Sequence, residues 1–261
     1  MGQIGVIYLL CEGNKAPLDP EGIPTMNVMI LDTETTSTNP RAGIVPELMR
    51  VYDLGWVIAN ATNDFSMVTS RNYAFMETFA DASIMRSAYY RDKLPWYYES
   101  MRHGAMAQAP IKDVWEIFTR DCKIFHIDQV WAYNCRFDHG ALNATISAVS
   151  SGWQNAWFGT GVQVLDIMSA AVDLICDSDY CAWAKTNGFV TPKGNTRATA
   201  ETVYNYIAGV LHSEIEDFYT ECHTALDDAR IESRILQECF SIDPERTIES
   251  GRKWGKRLKT N

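Results

Sequence analysis

The chain shows apolar strand patterns and amphipathic helix patterns after an irregular start. Residues 27–32, NVMILD, are apolar at successive positions, which predicts a strand buried on both faces. Four further strands are predicted at 51–59, 67–75, 129–134 and 162–166. Apolar residues at helical spacing predict helices at 110–122, 137–149, 167–176, 199–211 and 225–240. Strands with short connections, followed by alternating strands and helices, indicate an α/β fold built on one mixed sheet.

An Asp-x-Glu pair lies where the first predicted strand ends. Because side chains alternate along a strand, Asp32 and Glu34 lie on the same side if the strand continues through Thr33. Two carboxylates held together repel each other, so they favour a bound cation or a shared proton. The alternative is a strand edge whose acids are simply solvated. The same spacing recurs at 19–21 and 243–245, but with Pro between the acids and in turn-like sequence.

A third acid is predicted to face inward near the start of the helix at 137–149. Asp138 shares a helical stripe with Leu142 and Ile146, so its carboxylate needs a partner. The alternative is that Asp138 only complements the positive end of the helix. His139 points away from this stripe and is expected at the surface.

A fourth acid and a histidine lie around the start of the last predicted helix. Asp228 lies at the edge of the apolar stripe of that helix, whereas Asp227 lies off it and is expected to be solvated. His223 precedes the helix by two residues, and its alternative role is a helix cap or a surface residue. The rival His-x4-Asp spacing, His212 with Asp217, lies in acidic sequence that predicts an exposed face.

Three motifs occur in order along the chain: DTETT at 32–36, NCRFD at 134–138 and HTALDDA at 223–229. This series resembles the DEDD superfamily of 3′–5′ exonucleases. The histidine in the third motif is similar to the DEDDh branch, to which polymerase proofreading subunits and RNase T belong. The resemblance spans roughly residues 26–240. The chain is also similar to stand-alone exonucleases encoded by phages and prophages.

The resemblance implies a role for each matching residue. The four acids that match the metal ligands of the family are Asp32, Glu34, Asp138 and Asp228, and the residue that matches its general base is His223. The residues that match substrate-binding positions are Thr35 and Thr36, at the terminal nucleotide, and Asn134 and Phe137, beside the second acid. Asp166 lies where the family often has Asp, but it is expected to start a helix rather than to bind metal.

The resemblance also implies a fold, cofactors and a reaction. The fold is an RNase H-like α/β sandwich with a central five-stranded mixed sheet flanked by helices. The cofactors are two divalent cations, Mg²⁺ or Mn²⁺, which suit oxygen ligands. The reaction is hydrolysis at the 3′ end of single-stranded DNA, with nucleoside 5′-monophosphates as products.

Two other functions stay open at this point. One is an RNA-trimming exonuclease of the same branch, which differs in its tolerance of the 2′-hydroxyl. The other is a non-catalytic nucleic-acid-binding module associated with a polymerase. The partners that the resemblance implies are single-stranded nucleic acid 3′ ends, with a polymerase or replication partner and a homodimer as open alternatives.

Charge and composition limit the class of protein and the cellular location that fit this chain. The formal net charge of −10 argues against a protein that coats nucleic acid, but it suits a nuclease that neutralises its acids with cations. Seven scattered cysteines predict reduced thiols and a cytoplasmic location. No apolar run approaches the roughly 20 residues of a membrane helix, so no membrane partner is expected.

The expected domain organisation has three parts. Residues 1–25 are expected to be an extension, 26–243 the exonuclease domain, and 244–261 a basic tail. The tail carries Arg and Lys and Trp254, so it is either a nucleic-acid contact or a solubilising end. The stretch 187–207 departs from the family pattern and is locally basic, with Lys193 and Arg197, so it is a candidate contact for substrate phosphates.

Overall fold

A computed structural model of the protein describes residues 25–37 and 49–255. In this part of the chain a mixed sheet of six strands has the order β4–β3–β2–β1–β5–β6. The first three strands pair antiparallel, and β4, β5 and β6 each pair parallel with their neighbour. The strands are β1 (Asn27–Thr35), β2 (Val51–Asn60), β3 (Ser66–Phe75), β4 (Ala107–Ala109), β5 (Gln129–Ala132) and β6 (Gln163–Asp166).

Helices cover both faces of the sheet. The longer ones are α3 (Leu94–Arg102), α4 (Ile111–Ile124), α5 (Arg136–Val149), α6 (Ile167–Leu174), α7 (Ser178–Thr186), α9 (Ala225–Ile242) and α10 (Pro244–Gly251). The shorter ones are α1 (Met76–Ala80), α2 (Ala82–Met85) and α8 (Ala200–Tyr206), which continues as a π-helix over Ile207–Leu211. A 3₁₀ turn at Arg91–Lys93 leads into α3.

The α/β architecture with one mixed sheet is confirmed, and the sheet has six strands rather than the expected five. The additional strand, β4, is only three residues long, so it leaves no alternating pattern in the sequence. The aromatic run at 96–98 lies in α3, with Pro95 in the first helical turn. Tyr97, in the middle of that run, is fully buried.

Side chains that alternate along β1 pack into two separate hydrophobic cores. Val28 and Ile30 pack with residues of α6, α8 and α9 on one face of the sheet. Met29 and Leu31 pack with residues of α4 and α5 on the other face. Since the strand continues to Thr35, the next even-numbered side chains extend the face that α9 covers. The strand therefore points two carboxylates toward the first turn of α9.

The start of α9 lies unusually close to β2. A Cβ atom added at Gly55 would lie 2.3 Å from the backbone nitrogen of Leu226, so no side chain fits between strand and helix. Thr224, the N-cap residue, makes no side-chain capping bond. Instead the buried carboxylate of Asp53 on β2 accepts a 3.1 Å hydrogen bond from the backbone N–H of Ala225. A strand residue thus caps the helix and fixes where its first turn lies.

The segment after residue 243 begins with the helix α10. The helix α10 packs on α6, and Asp243 caps its N-terminus by accepting a 3.0 Å bond from the backbone N–H of Arg246. Beyond it, the indole of Trp254 donates a 3.0 Å hydrogen bond to the carbonyl of Val164 on β6. Residues 1–24 and 256–261 lie outside the described residues, so the expected extension and the end of the basic tail stay predictions. Within the described ranges, no helix combines the length and apolar character that a membrane crossing requires.

Gly55→Ala is expected to lower the free energy of unfolding by about 3 kcal/mol, because the new methyl group forces α9 away from β2. Gly140→Ala is the matched control. A Cβ added there has open space around it among the described residues, and Ala favours a helix by about 1 kcal/mol over Gly. Urea unfolding of both variants checks this, and an unchanged midpoint for Gly55→Ala would show that the close contact is not required.

Candidate active site

A cavity of about 350 Å³ opens where β1, α5 and α9 meet. The loop before α9 and the start of α8 complete its walls. Six carboxylates line it: Asp32, Glu34, Asp138, Glu221, Asp228 and Glu232. No Lys or Arg is among the described residues that line it. The cavity is therefore strongly negative unless cations or protons occupy it.

The strand pair lies on one side of the cavity, as the alternation predicts. β1 continues through Thr33 to Thr35, so Asp32 and Glu34 are both on the face toward α9. Glu34 is only 5% exposed. Burial is the main cause that raises the pKa of Glu34 to about 10, and the charges of Asp228 and Asp53 add to it. Burial, followed by the neighbouring carboxylates, also raises the pKa of Asp32 well above its usual value.

The first turn of α5 brings the third acid to the same cavity. Asp138 is buried, and the hydroxyl of Thr33 donates a 2.7 Å hydrogen bond to its Oδ1 atom. Burial raises the pKa of Asp138 to about 7, although the bond from Thr33 works in the opposite direction. Because Thr33 lies between the two acids of β1, this bond joins the first motif directly to the second.

The fourth acid, Asp228, projects from the first turn of α9. Its Oδ1 atom is buried and has no hydrogen-bond partner among the described residues. Burial, followed by the charge of Glu221, raises the pKa of Asp228 to about 8. Asp227 instead forms a 2.8 Å ion pair with Arg230 on the outer face of α9. The assignment of Asp228 as the inward acid therefore agrees with the structure.

The histidine of the third motif lies beside Asp228 in a constrained conformation. His223 has a φ of 51°, in the left-handed region, and it lines the cavity. The ring stacks on Tyr90 with 4.0 Å between centroids and an interplanar angle of 11°. Its Nδ1 atom lies 3.5 Å from Glu221 Oε2 and 4.0 Å from Asp228 Oδ2. Burial and the nearby charge of Lys93 lower the pKa of His223, so the neutral ring is favoured near pH 7.

The donor set fits a divalent cation. Glu34, His223 and Asp228 each offer one ligand atom, and these three atoms lie within 4.8 Å of one another. The orphaned Oδ1 of Asp228 would gain a partner from a cation, since buried carboxylate oxygens normally have one. A cation would also offset the burial and the repulsion that raise the carboxylate pKa values. Hard cations such as Mg²⁺ and Mn²⁺ suit this mainly oxygen set.

Three of the four expected substrate-binding residues line the cavity, and the fourth lies outside its lining. Thr35, Asn134 and Phe137 line the cavity, and Asn134 has a left-handed φ of 59°. Thr36 is fully buried outside the cavity lining, and its hydroxyl accepts a 2.9 Å hydrogen bond from the backbone N–H of Arg50. A role for Thr36 at the nucleotide stays a prediction, and its observed contact fixes the end of β1 to the start of β2.

Two residues that the sequence analysis set apart are placed as expected. Asp166 caps α6, accepting hydrogen bonds from the backbone N–H groups of Ser169 at 3.1 Å and Cys135 at 3.2 Å. His212, from the alternative His-x4-Asp spacing, does not line the cavity, and its Nε2 atom lies 2.7 Å from Glu238 Oε2. Neither residue competes for the site.

The cavity residues that the sequence analysis did not assign include Tyr90, Glu221 and Glu232. Glu232 follows Asp228 by four residues, so its position on the same helical face was readable from the spacing. Glu221 lies two residues before His223, in a loop with no period to orient it. Its Oε1 atom accepts a 2.9 Å bond from the backbone N–H of Glu201, which anchors the loop to α8. Tyr90 had no local signal, because only the fold brings it to His223.

Comparisons with known proteins give weak likenesses. No family model matches the chain, and no curated protein matches it. A full-length 3′-exonuclease shares 12% identity at a TM-score of 0.49, over 82% of this chain and 60% of that one. The nuclease domain of 3'hExo, described as a DEDDh family member bound to rAMP, shares 10% identity at a TM-score of 0.49, over 90% of this chain and 96% of that one. E. coli exonuclease I in complex with a dT13 oligonucleotide shares 14% identity at a TM-score of 0.43, over 84% of this chain and 42% of that one.

All three structures are nucleases by description, the class that the motifs predict. Their TM-scores lie below 0.5, so the likeness carries no argument about the activity of this chain. This chain also spans less than two thirds of the full-length 3′-exonuclease and of exonuclease I.

The metal-free protein is expected to lose stability as the pH rises. The folded-state pKa values of Asp138, Asp228 and Glu34, about 7, about 8 and about 10, lie above unfolded values near 4. The folded chain therefore holds protons that the unfolded chain releases. The stability these groups contribute is complete below about pH 4 and is lost as the pH rises through 7 toward 10.

Thermal melts in EDTA should therefore show a lower Tm at about pH 8 than at about pH 5. Millimolar Mg²⁺ or Mn²⁺ should raise the Tm, and more at the higher pH, because the cation binds the ionised acids. Asp228→Asn should weaken both effects, whereas Asp227→Asn, on the outer face of α9, should leave them unchanged. A Tm that changes with neither metal nor pH would contradict the clustering of these buried acids.

Proposed function

We propose that this chain is a metal-dependent 3′–5′ exonuclease that hydrolyses single-stranded DNA from its 3′ end. The observation that supports this most is the convergence in one cavity of residues from three separate motifs. These residues are Asp32, Glu34, Asp138, His223 and Asp228, which are spread over nearly 200 positions of the chain. A fold that needed them only for packing would not gather acids that repel each other.

The four acids would hold two Mg²⁺ or Mn²⁺ ions. Bound cations of this kind stabilise the attacking and leaving oxygens of an in-line displacement and lower the pKa of a bound water. The chain itself contributes the carboxylate oxygens and fixes their positions. The bond from Thr33 holds Asp138, and the cap from Asp53 holds the turn of α9 that carries Asp228.

His223 would accept a proton from the attacking water. Its lowered pKa keeps the ring neutral near pH 7, which a general base requires. The stack on Tyr90 limits rotation of the ring, and Glu221 lies near Nδ1. This arrangement leaves Nε2 as the nitrogen that would take the proton, and Glu221 would stabilise the charged ring that results.

The cavity walls would position the terminal nucleotide. A volume of about 350 Å³ is at the small end of ligand pockets and suits one nucleotide. Phe137 offers an apolar surface for the base or sugar. Tyr89 is 57% exposed, and its backbone N–H donates a 3.3 Å bond to the carbonyl of the lining residue Thr35, so its ring would stack on the next base. Arg197 is exposed and adjoins the lining residue Ala198, where it would contact a phosphate.

Digestion of single-stranded DNA and RNA labelled at the 5′ end tests this function. With Mg²⁺ or Mn²⁺ the wild type should give a ladder that shortens from the 3′ end, with nucleoside 5′-monophosphates released. His223→Ala should reduce turnover by about 10²–10⁴-fold, because the water loses its base. His212→Ala is the matched control and should retain full turnover, since it lies outside the cavity.

The outcomes separate the alternatives. Faster trimming of RNA than of DNA would make the chain an RNA-trimming enzyme. Binding of the oligonucleotides without cleavage under either metal would leave a non-catalytic binding module. Wild-type turnover in His223→Ala would assign the base to another group.

A further inference from the structure

We propose that Glu232 is a fifth carboxylate of the metal centre, holding the cation on the side of the cavity away from His223. This inference rests on the metal binding in the proposed function. It goes beyond the motifs, which assign four acids and no residue at position 232.

Glu232 is built into the cavity wall. It is 3% exposed and lies one helical turn beyond Asp228 on the same face of α9. Its Oε2 atom accepts a 3.2 Å hydrogen bond from the backbone N–H of Tyr133, just after β5 ends. That bond turns the carboxylate toward the β5 side of the cavity, where α5 begins.

The cavity acids divide into two groups. Glu34 and Asp228 share one group with His223, as the 4.8 Å separation of their ligand atoms shows. Glu232 belongs with Asp32 and Asp138 in the other. The parallel register of β1 and β5 pairs Ile30 with Trp131, so Asp32 lies level with Tyr133, whose backbone N–H donates a bond to Glu232. Asp138 follows shortly after, in the first turn of α5. Each group would therefore bind one of two cations.

A structural role alone does not account for an acid at this position. The Tyr133 N–H needs only an acceptor, and a glutamine amide oxygen would supply it without a charge. A charged carboxylate here is desolvated and faces the carboxylates of Asp138, Asp228 and Glu221, and both effects destabilise the fold. A cation shared with Asp32 and Asp138 would offset all of these penalties.

A second observation concerns an unsatisfied carboxylate oxygen in the same cavity. Asp228 is 8% exposed, and its Oδ1 atom lacks a partner among the described residues although it is buried. This atom and Glu232 line the same space. The unsatisfied oxygen and the additional buried charge are both explained if cations fill it.

Titration of the full chain with Mn²⁺, followed by calorimetry and by electron paramagnetic resonance of free Mn²⁺, tests the assignment. The wild type should bind two ions. Glu232→Gln keeps the size of the side chain and the acceptor for Tyr133, and it should weaken one of the two sites by about 10–100-fold. Glu238→Gln is the matched control, because Glu238 lies on the same helix but outside the cavity, beside His212.

Glu232→Asp serves as a second variant, since it keeps the charge on a shorter side chain and should retain more Mn²⁺ affinity than Glu232→Gln. Far-ultraviolet circular dichroism without metal confirms that each variant is folded. Two sites of unchanged affinity in Glu232→Gln would overturn the assignment and leave the proposed function standing. A wild type that binds no Mn²⁺ would overturn both. Loss of one site in Glu232→Gln, with no nuclease activity in the wild type, would support the assignment and reject the nuclease.

Discussion

The repulsion among buried carboxylates is the constraint on which this site depends. The backbone brings β1, α5 and α9 together at the place where their acids oppose close approach. Uncharged contacts hold that arrangement: Gly55 lets α9 lie against β2, and the hydroxyl of Thr33 fixes Asp138. The scaffold therefore holds a cluster of carboxyl groups in a defined shape, which pre-organises the site for cations.

The same scaffold explains why the histidine is available as a base. The cap that Asp53 provides fixes the start of α9, and the loop just before it carries His223 in a left-handed conformation. Stacking on Tyr90 then keeps the ring over the cavity, and Glu221 ties the loop to α8. Activity would thus depend on residues that never touch the substrate, because they fix one imidazole relative to four acids.

Much of this was readable from the sequence, for identifiable reasons. The apolar run of β1 has a strong period, so it placed Asp32 and Glu34 on one face, and the stripe of α9 separated Asp228 from Asp227. The short strand β4 and the aromatic helix α3 gave no usable pattern. Tyr90 reaches His223 only through the fold. The spacing of Glu232, four residues after Asp228, placed it on the same face of the helix, but no motif assigned it a role.

Hydrolysis in water enriched in ¹⁸O tests the central claim most directly, because that claim is attack by water on the last phosphodiester bond. Single-stranded DNA is digested with Mg²⁺, and the products are analysed by mass spectrometry. The account predicts nucleoside 5′-monophosphates that each carry one ¹⁸O in the phosphate, and a shortened strand with an unlabelled 3′-hydroxyl. Products with a 3′-phosphate, or 5′-monophosphates without the label, would contradict it.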